Sequence, residues 1–420
     1  MYFVVELMIL MGYLMDNKSG MILSFLLYIS IFLKKKYTYL EKLLIALIFS
    51  LPTFNVGFMG ESQHHVFSWT VIFIAFLLLY LIYNYFKKKV KISLYKVLIS
   101  LIMLGIIFIN CFFEVNVSYA IFKWCQICIM LLPLLMVYDQ RNYLMERITH
   151  DNGHFVSFIN TSILATAMGL FLQYILYERL SIIVGHWTFY HNRTVVDFIF
   201  NGYSVLSLFL SLGVIINVKR FYKKSNLREL INIIICTAAI VINSSRTGMA
   251  VAITISIMIV LMEGLKTKKN LIITILVIPI LIITLFFASD LQIQNREIQG
   301  MFDDNGRMQT YNYGIRVLTT NYKSFLFGSG IATENYTETI PHNFILETLV
   351  GTGIVVTSII IMLVIALLKY INKYEDKYII YGIFLGSMFI TNFPGNMFAT
   401  VYIILSILIR AKEERKGDIE

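Results

Sequence analysis

Charge is what this sequence has least of. Only 14% of its residues are Asp, Glu, Lys or Arg, against 58% hydrophobic, and the mean hydropathy is +0.74. A soluble domain carries about 25% charged residues, so a sizeable soluble domain is excluded. The chain also lacks a phosphate-binding P-loop and a G-x-S-x-G nucleophile elbow. His64, His65, His186 and His191 make no complete ligand set for zinc, so neither a metal nor a cofactor is expected. The four cysteines lie in apolar runs. Trp124-Cys125-Gln126-Ile127-Cys128 has redox-like spacing, but a soluble βαβ setting and an accessible thiolate are missing, which leaves inert packing thiols. No basic n-region or small-residue cleavage site opens the chain, so no removable signal peptide is expected. There is no internal repeat and no low-complexity block.

What is present is a series of long apolar runs, the signature of transmembrane helices. Spans are expected over 43–59, 67–86, 94–112, 119–138, 155–177, 195–217, 231–242, 249–262, 271–288, 344–368, 379–391 and 397–409. Two shorter runs, 2–15 and 21–33, precede them. At about 1.5 Å per residue each falls short of a ~30 Å hydrocarbon core, so they read as short tilted spans or a hairpin. The fold class is an all-α polytopic membrane protein with about 12–14 transmembrane helices and both termini cytoplasmic.

The net charge of +10 and pI near 9.2 come from basic residues at helix ends. The positive-inside rule accounts for them, and nucleic acid is not an expected partner. Of 35 basic residues, 26 fall in the loops assigned to the cytoplasm. The type changes as well: the inside holds 20 Lys and 6 Arg, the outside 3 Lys and 6 Arg. Topology alone does not ask for arginine, whereas a planar fork suited to phosphate does. An anionic ligand on the outer face follows.

Three outer stretches carry the candidate residues. Arg193 lies in the loop 178–194. Arg246 sits in the tight turn Asn243-Ser244-Ser245-Arg246-Thr247-Gly248, at or near membrane depth, where a charge defaults to function. The long polar segment 289–343 holds Arg307 after Asp303-Asp304-Asn305-Gly306, with Arg296 and Arg316 flanking it. The paired aspartates read as a solvated turn rather than a metal site. His342 follows Pro341 just before a span, with Asn343 next and Glu347 five residues on. A histidine there can move a proton near neutral pH.

Taken in order, Asn243-Ser244-Ser245-Arg246-Thr247-Gly248, Asn305-Gly306-Arg307, Phe327-Gly328-Ser329-Gly330 and His342-Asn343-Phe344-Ile345-Leu346-Glu347 with Gly351 and Gly353 resemble the O-antigen polymerase (Wzy) and O-antigen ligase (WaaL) superfamily. The likeness covers roughly residues 243–355. Tyr311 stands where the family often has Trp, and the usual Pro before the Gly-x-Gly is absent.

The resemblance implies a metal-independent glycosyltransferase of GT-C architecture in the cytoplasmic membrane of a bacterium, working on its extracytoplasmic face. It would join polyprenyl-diphosphate-linked oligosaccharide repeat units into a capsule, O-antigen or exopolysaccharide. Its partners would be those lipid-linked oligosaccharides, the lipid bilayer, and flippase and chain-length regulator proteins. His342, Arg307 and Arg246 would be catalytic, and Arg193, Arg316, Asn343 and Glu347 would bind diphosphate or glycan. The alternatives are a ligase transferring glycan to lipid A-core and a polysaccharide flippase. The chain divides as 1–288 with the outer loop 178–194, the long outer loop 289–343, and 344–420, all within one integral membrane domain.

Overall fold

A computed structural model describes residues 2–54, 56, 68–88, 94–150, 152–190, 193–200, 202–264, 266, 307–331, 336, 343–372, 377–389, 400–408 and 411. Helices α1 (Tyr2–Met15) and α2 (Asn17–Leu33) form a hairpin turned at Asp16. The Asp16 carboxylate accepts from the Ser19 amide at 3.3 Å and so caps α2. Helix α3 (Tyr39–Ser50) opens on a capping box in which Thr38 and Glu41 each accept the other's amide. It stops where Pro52 enters a 3₁₀ turn. The span expected at 43–59 therefore starts earlier and is shorter, and 57–59 lie outside the described residues.

The chain continues with α4 (Trp69–Lys88), α5 (Leu94–Cys111), α6 (Val117–Met145) and α7 (Asn152–Leu180). A two-stranded hairpin, β1 (His186–Tyr190) and β2 (Arg193–Phe198), precedes α8 (Tyr203–Lys224), α9 (Leu227–Asn243) and α10 (Arg246–Gly264). Then come α11 (Arg307–Thr319), α12 (Tyr322–Phe327), α13 (Phe344–Ile371), α14 (Lys377–Ser387) and further helix at 400–408. Among the described residues six helices are long and apolar enough to cross a membrane: α4, α6, α7, α8, α10 and α13. This is a polytopic, almost wholly helical membrane protein. The larger expected number counted shorter runs, such as the 14-residue α1 and 17-residue α2, and 271–288, which lies outside the described residues.

The all-α fold class holds, and the structure adds to it one short antiparallel hairpin, whose aromatic and β-branched residues suit a strand. Consequently 178–194 is the end of a helix followed by a strand pair, and the span set at 195–217 begins only at Tyr203. The loop set at 139–154 is mostly helix, because α6 runs through Pro133 to Met145. The buried Gln140 amide donates to the Leu81 carbonyl at 3.0 Å, and the Arg141 guanidinium lies 4.6 Å from the Tyr138 ring centre, so these polar residues have partners while helical.

The chain forms two compact units, each assembled from separated stretches. Unit 1 is Met1–Thr70, His150–Asp303 and Tyr378–Gly386; unit 2 is Val71–Thr149, Asp304–Lys377 and Ser387–Glu420. In unit 1 a buried asparagine cluster ties three helices together. Asn217 on α8 donates to Asn160 on α7 at 2.7 Å and accepts from Asn160 and from Asn232 on α9, each at 3.1 Å. In unit 2, Met103 and Ile107 of α5 pack with Val356 and Ile360 of α13. The Trp124 indole of α6 donates to the Leu104 carbonyl at 2.9 Å. All four cysteines are free thiols, Cys111 and Cys236 buried.

Asn217→Leu strands the amides of Asn160 and Asn232, and a loss of about 1–3 kcal/mol is expected. It should register as a lower unfolding temperature in detergent, while Cys125→Ala, at an exposed position, should stay within about 0.5 kcal/mol of the parent.

Candidate active site

In unit 1 the Arg246 turn is built into the interior by its neighbours. Helix α9 ends at Asn243, and Ser244 takes a left-handed conformation (φ 62°) that reverses the chain. The Ser207 hydroxyl on α8 donates to the Ser245 hydroxyl at 2.8 Å and accepts from the Gly248 amide at 3.1 Å. Arg246 is thus fixed as the first residue of α10, half-buried. The buried Asn243 amide donates to the Val196 carbonyl at 2.6 Å. Val196 belongs to β2, the strand that Arg193 opens, so one hydrogen bond links the two arginine-bearing stretches of this unit.

In unit 2, Arg307 is the first residue of α11 and Arg316 an exposed residue of its last turn, 6.0 Å from the Tyr313 ring centre. The described part of the long polar segment is therefore helical at 307–319 and 322–327. Asn343 caps α13: its side-chain oxygen accepts from the Ile345 and Leu346 amides, both at 3.1 Å. Its amide reaches the Met388 carbonyl at 3.4 Å. Glu347 lies in the first turn of α13, half-buried, with its amide bonded to the Asn343 carbonyl at 2.8 Å. His342 lies outside the described residues, as does Arg296.

Helix α13 is broken at Gly353, whose φ of 74° and ψ of 175° no ordinary side chain tolerates well. A break there frees the carbonyls of the preceding turn. The segment Gly328-Ser329-Gly330 answers them, the Ser329 amide donating to Val350 at 2.8 Å and the Gly330 amide to Gly351 at 3.2 Å. The contact is backbone on backbone, since a Cβ at Gly328 would lie 2.3 Å from the Gly351 carbonyl oxygen.

Two residues that the sequence gave no reason to single out hold this strap in place. Asn110, in the last turn of α5, donates to the Phe327 carbonyl, and the buried Glu114 carboxylate accepts from the Ile331 amide at 3.0 Å. Tyr336 donates to the Gly330 carbonyl. Burial pushes its phenol well above the usual range, with the charges of Glu114, Tyr313 and Glu347 adding to the effect. Asn110 and Glu114 each meet partners 217 residues away, a separation that carries no local signal. Ser207 escaped notice for the same reason.

Residues 231–361 match the family model described as O-Antigen ligase. The matched stretch begins in α9, takes in Arg246, Arg307, Arg316, the strap, Asn343 and Glu347, and ends beyond the break in α13; Arg193 precedes it. No curated protein matches the chain.

Gly328→Ala must push the strap off α13, because its Cβ has nowhere to go and φ is +86°. Gly351→Ala needs a shift of only a few tenths of an ångström, its Cβ lying 3.3 Å from the Gly330 carbonyl oxygen. A destabilisation of about 1–3 kcal/mol is expected for the first and less than half of that for the second, compared by thermal unfolding in one detergent.

Proposed function

We propose, from the match of residues 231–361 to the O-antigen ligase family model, that this multi-pass membrane protein is an enzyme of polysaccharide synthesis and, more narrowly, a repeat-unit polymerase. It joins polyprenyl-diphosphate-linked oligosaccharides into a surface polysaccharide on the outer face of the bacterial cytoplasmic membrane. The observation that carries the reading is the family match itself, which spans six of the seven candidate residues. The outer preference for arginine over lysine supports it, because guanidinium groups pair with phosphate oxygens in a bidentate way.

In the reaction, a hydroxyl of the incoming unit attacks the anomeric carbon that links the growing glycan to its lipid diphosphate. The new glycosidic bond forms as the carbon–oxygen bond to the diphosphate breaks. His342 takes the proton of the attacking hydroxyl. Arg246 and Arg307 hold the diphosphate and offset the charge that develops on it as it leaves. Arg193 and Arg316 add positive charge for the substrate. Asn343 and Glu347 serve as glycan-binding groups at the start of α13, and Asn343 also fixes the helix end that His342 precedes.

Three structural points agree with these roles. Arg246 is half-buried and held by the Ser207–Ser245 contact rather than loose in a loop. Arg307 opens a helix, where the positive end of the helix dipole favours anions. The strap and the Asn343 cap fix the first turns of α13, the helix that follows His342 in the chain. A transporter for the same substrate is disfavoured, because it calls for charges distributed along several spans near mid-membrane.

The decisive experiment is reconstitution of the purified chain in liposomes with a lipid-diphosphate repeat unit as sole substrate. A ladder of products is the expected outcome. Transfer only after a separate lipid acceptor is added identifies a ligase, and movement of intact substrate across the bilayer identifies a flippase. In the same assay Arg307→Ala should lose about 10²–10³-fold in rate. Arg307→Lys should recover little of it, and full activity of the lysine variant would remove the guanidinium–diphosphate role. His342→Ala should lose about 10²–10⁴-fold, so unchanged polymer length and rate would dismiss it as the base.

A further inference from the structure

Helix α12 reads Tyr322-Lys323-Ser324-Phe325-Leu326-Phe327, an apolar island inside the long polar segment, and none of its side chains is buried. Tyr322 is 89% exposed, and Phe325, Leu326 and Phe327 are exposed with it. In water this arrangement would be unfavourable, since these four large groups could have been turned inward. The same unit exposes Phe112, Phe113 and Val115 just past the end of α5. The two sets meet: the Lys323 ammonium lies 3.5 Å from the Phe113 ring centre. Together they continue the line of exposed apolar side chains that runs up α5 through Leu98, Leu101, Ile102 and Ile109.

The depth of α12 follows from what it is bonded to. The Asn110 side chain, in the last turn of apolar α5, donates to the Phe327 carbonyl and so fixes the end of α12 at the end of α5. The strap that follows α12 meets α13 at Val350 and Gly351, about 10 Å from the first residue of that helix at 1.5 Å per residue. Beyond the break at Gly353, residues 354–371 of α13 give about 27 Å of helix, close to a ~30 Å hydrocarbon core. With that length spanning the core, the break and the neighbouring Val350 and Gly351 fall where hydrocarbon gives way to headgroups. Charge agrees with this depth. Residues 307–327 hold Arg307, Arg316 and Lys323 and no Asp or Glu, a one-signed surface suited to phosphate headgroups.

We propose that α12 and the adjoining 112–115 turn are a membrane-interface anchor, seated at the boundary between phospholipid headgroups and acyl chains on the side of the bilayer that carries Asn343. The partner is the bilayer itself. Aromatic rings occupy the boundary, and Lys323 reaches outward along Phe113 to the phosphates. The anchor sets the depth of the strap and so of the break in α13. That this leaflet is the outer one rests on the proposed function. On that reading the anchor holds α13 at the depth where a lipid-linked diphosphate lies.

The test uses the full chain in lipid nanodiscs, with Tyr322→Trp and Phe325→Trp made separately over the native Trp69, Trp124 and Trp187. Emission added by each variant is followed with phosphatidylcholine brominated near the headgroup or near the chain end, and with aqueous iodide. Lipid bromine near the headgroup should remove at least about half of the added emission, bromine at the chain end less, and iodide little. Strong iodide quenching with no bromine effect would mean that α12 stands in water. Quenching by neither would mean that protein covers it. Either result overturns the anchor. Tyr322 makes almost no internal contact, so its variant keeps the fold even if the Phe325 variant does not. The measurement needs no glycan, so a failure of polymerisation leaves it standing, and its own failure leaves the polymerase reading untouched.

Discussion

A lipid bilayer offers no water to a stray peptide group, and this chain is organised by the need to satisfy such groups from within. Its most revealing case is the break in α13. Opening a membrane helix at Gly353 exposes carbonyls that lipid cannot satisfy, and the Gly328-Ser329-Gly330 strap supplies the donors. The strap needs Asn110 and Glu114 to hold its ends, which fixes the end of α5 and the start of α6. A single backbone requirement thus orders much of unit 2. It also brings the far end of the polar segment against the helix that follows it.

Unit 1 answers the same constraint with side chains. Amides on α7, α8 and α9 bond one another in the Asn160, Asn217 and Asn232 cluster, and hydroxyls of Ser207 and Ser245 join α8 to the Arg246 turn. Even Glu6, wholly buried on α1, lies 3.4 Å from the Ser162 hydroxyl. Such contacts substitute for the hydrophobic drive that is missing between helices in lipid. They also hold a charged residue, Arg246, at a fixed place at the start of α10. The polar interior and the candidate chemistry are therefore parts of the same construction.

For function, the contrast between arginine and lysine carries a physical meaning. On the topology expected from the sequence, lysines on the inner loops set the chain's orientation and need no defined geometry. Arg246 sits at the start of α10, and Arg307 and Arg316 lie in the first and last turns of α11. On the proposed function, guanidinium forks at these positions would pair with the departing diphosphate. The resemblance stated from four short motifs agrees with the family match over 231–361.

How far the fold and site could be read from the residues depended on range. Apolar runs near membrane length identified α4, α5, α7 and α13 closely, because burial in lipid acts on composition alone. The turn at Arg246 and the start of α13 after Asn343 were also legible, since a charge or a cap beside an apolar run is a local anomaly. The β-hairpin was not: Val195 and Val196 fit a membrane span as well as a strand, and only pairing with β1 decides between them. Nor could periodicity end α6 correctly, because Gln140 and Arg141 look like loop residues until partners at Leu81 and Tyr138 are known. By itself the sequence determined that the chain crosses the membrane many times and which residues are candidates for its chemistry, for these follow from each residue's own polarity. Tertiary structure alone decided that Gly328 closes against Gly351, 23 residues on, and that Asn110 and Glu114 hold the strap from 217 residues away, because contacts at such separations leave no trace in local order.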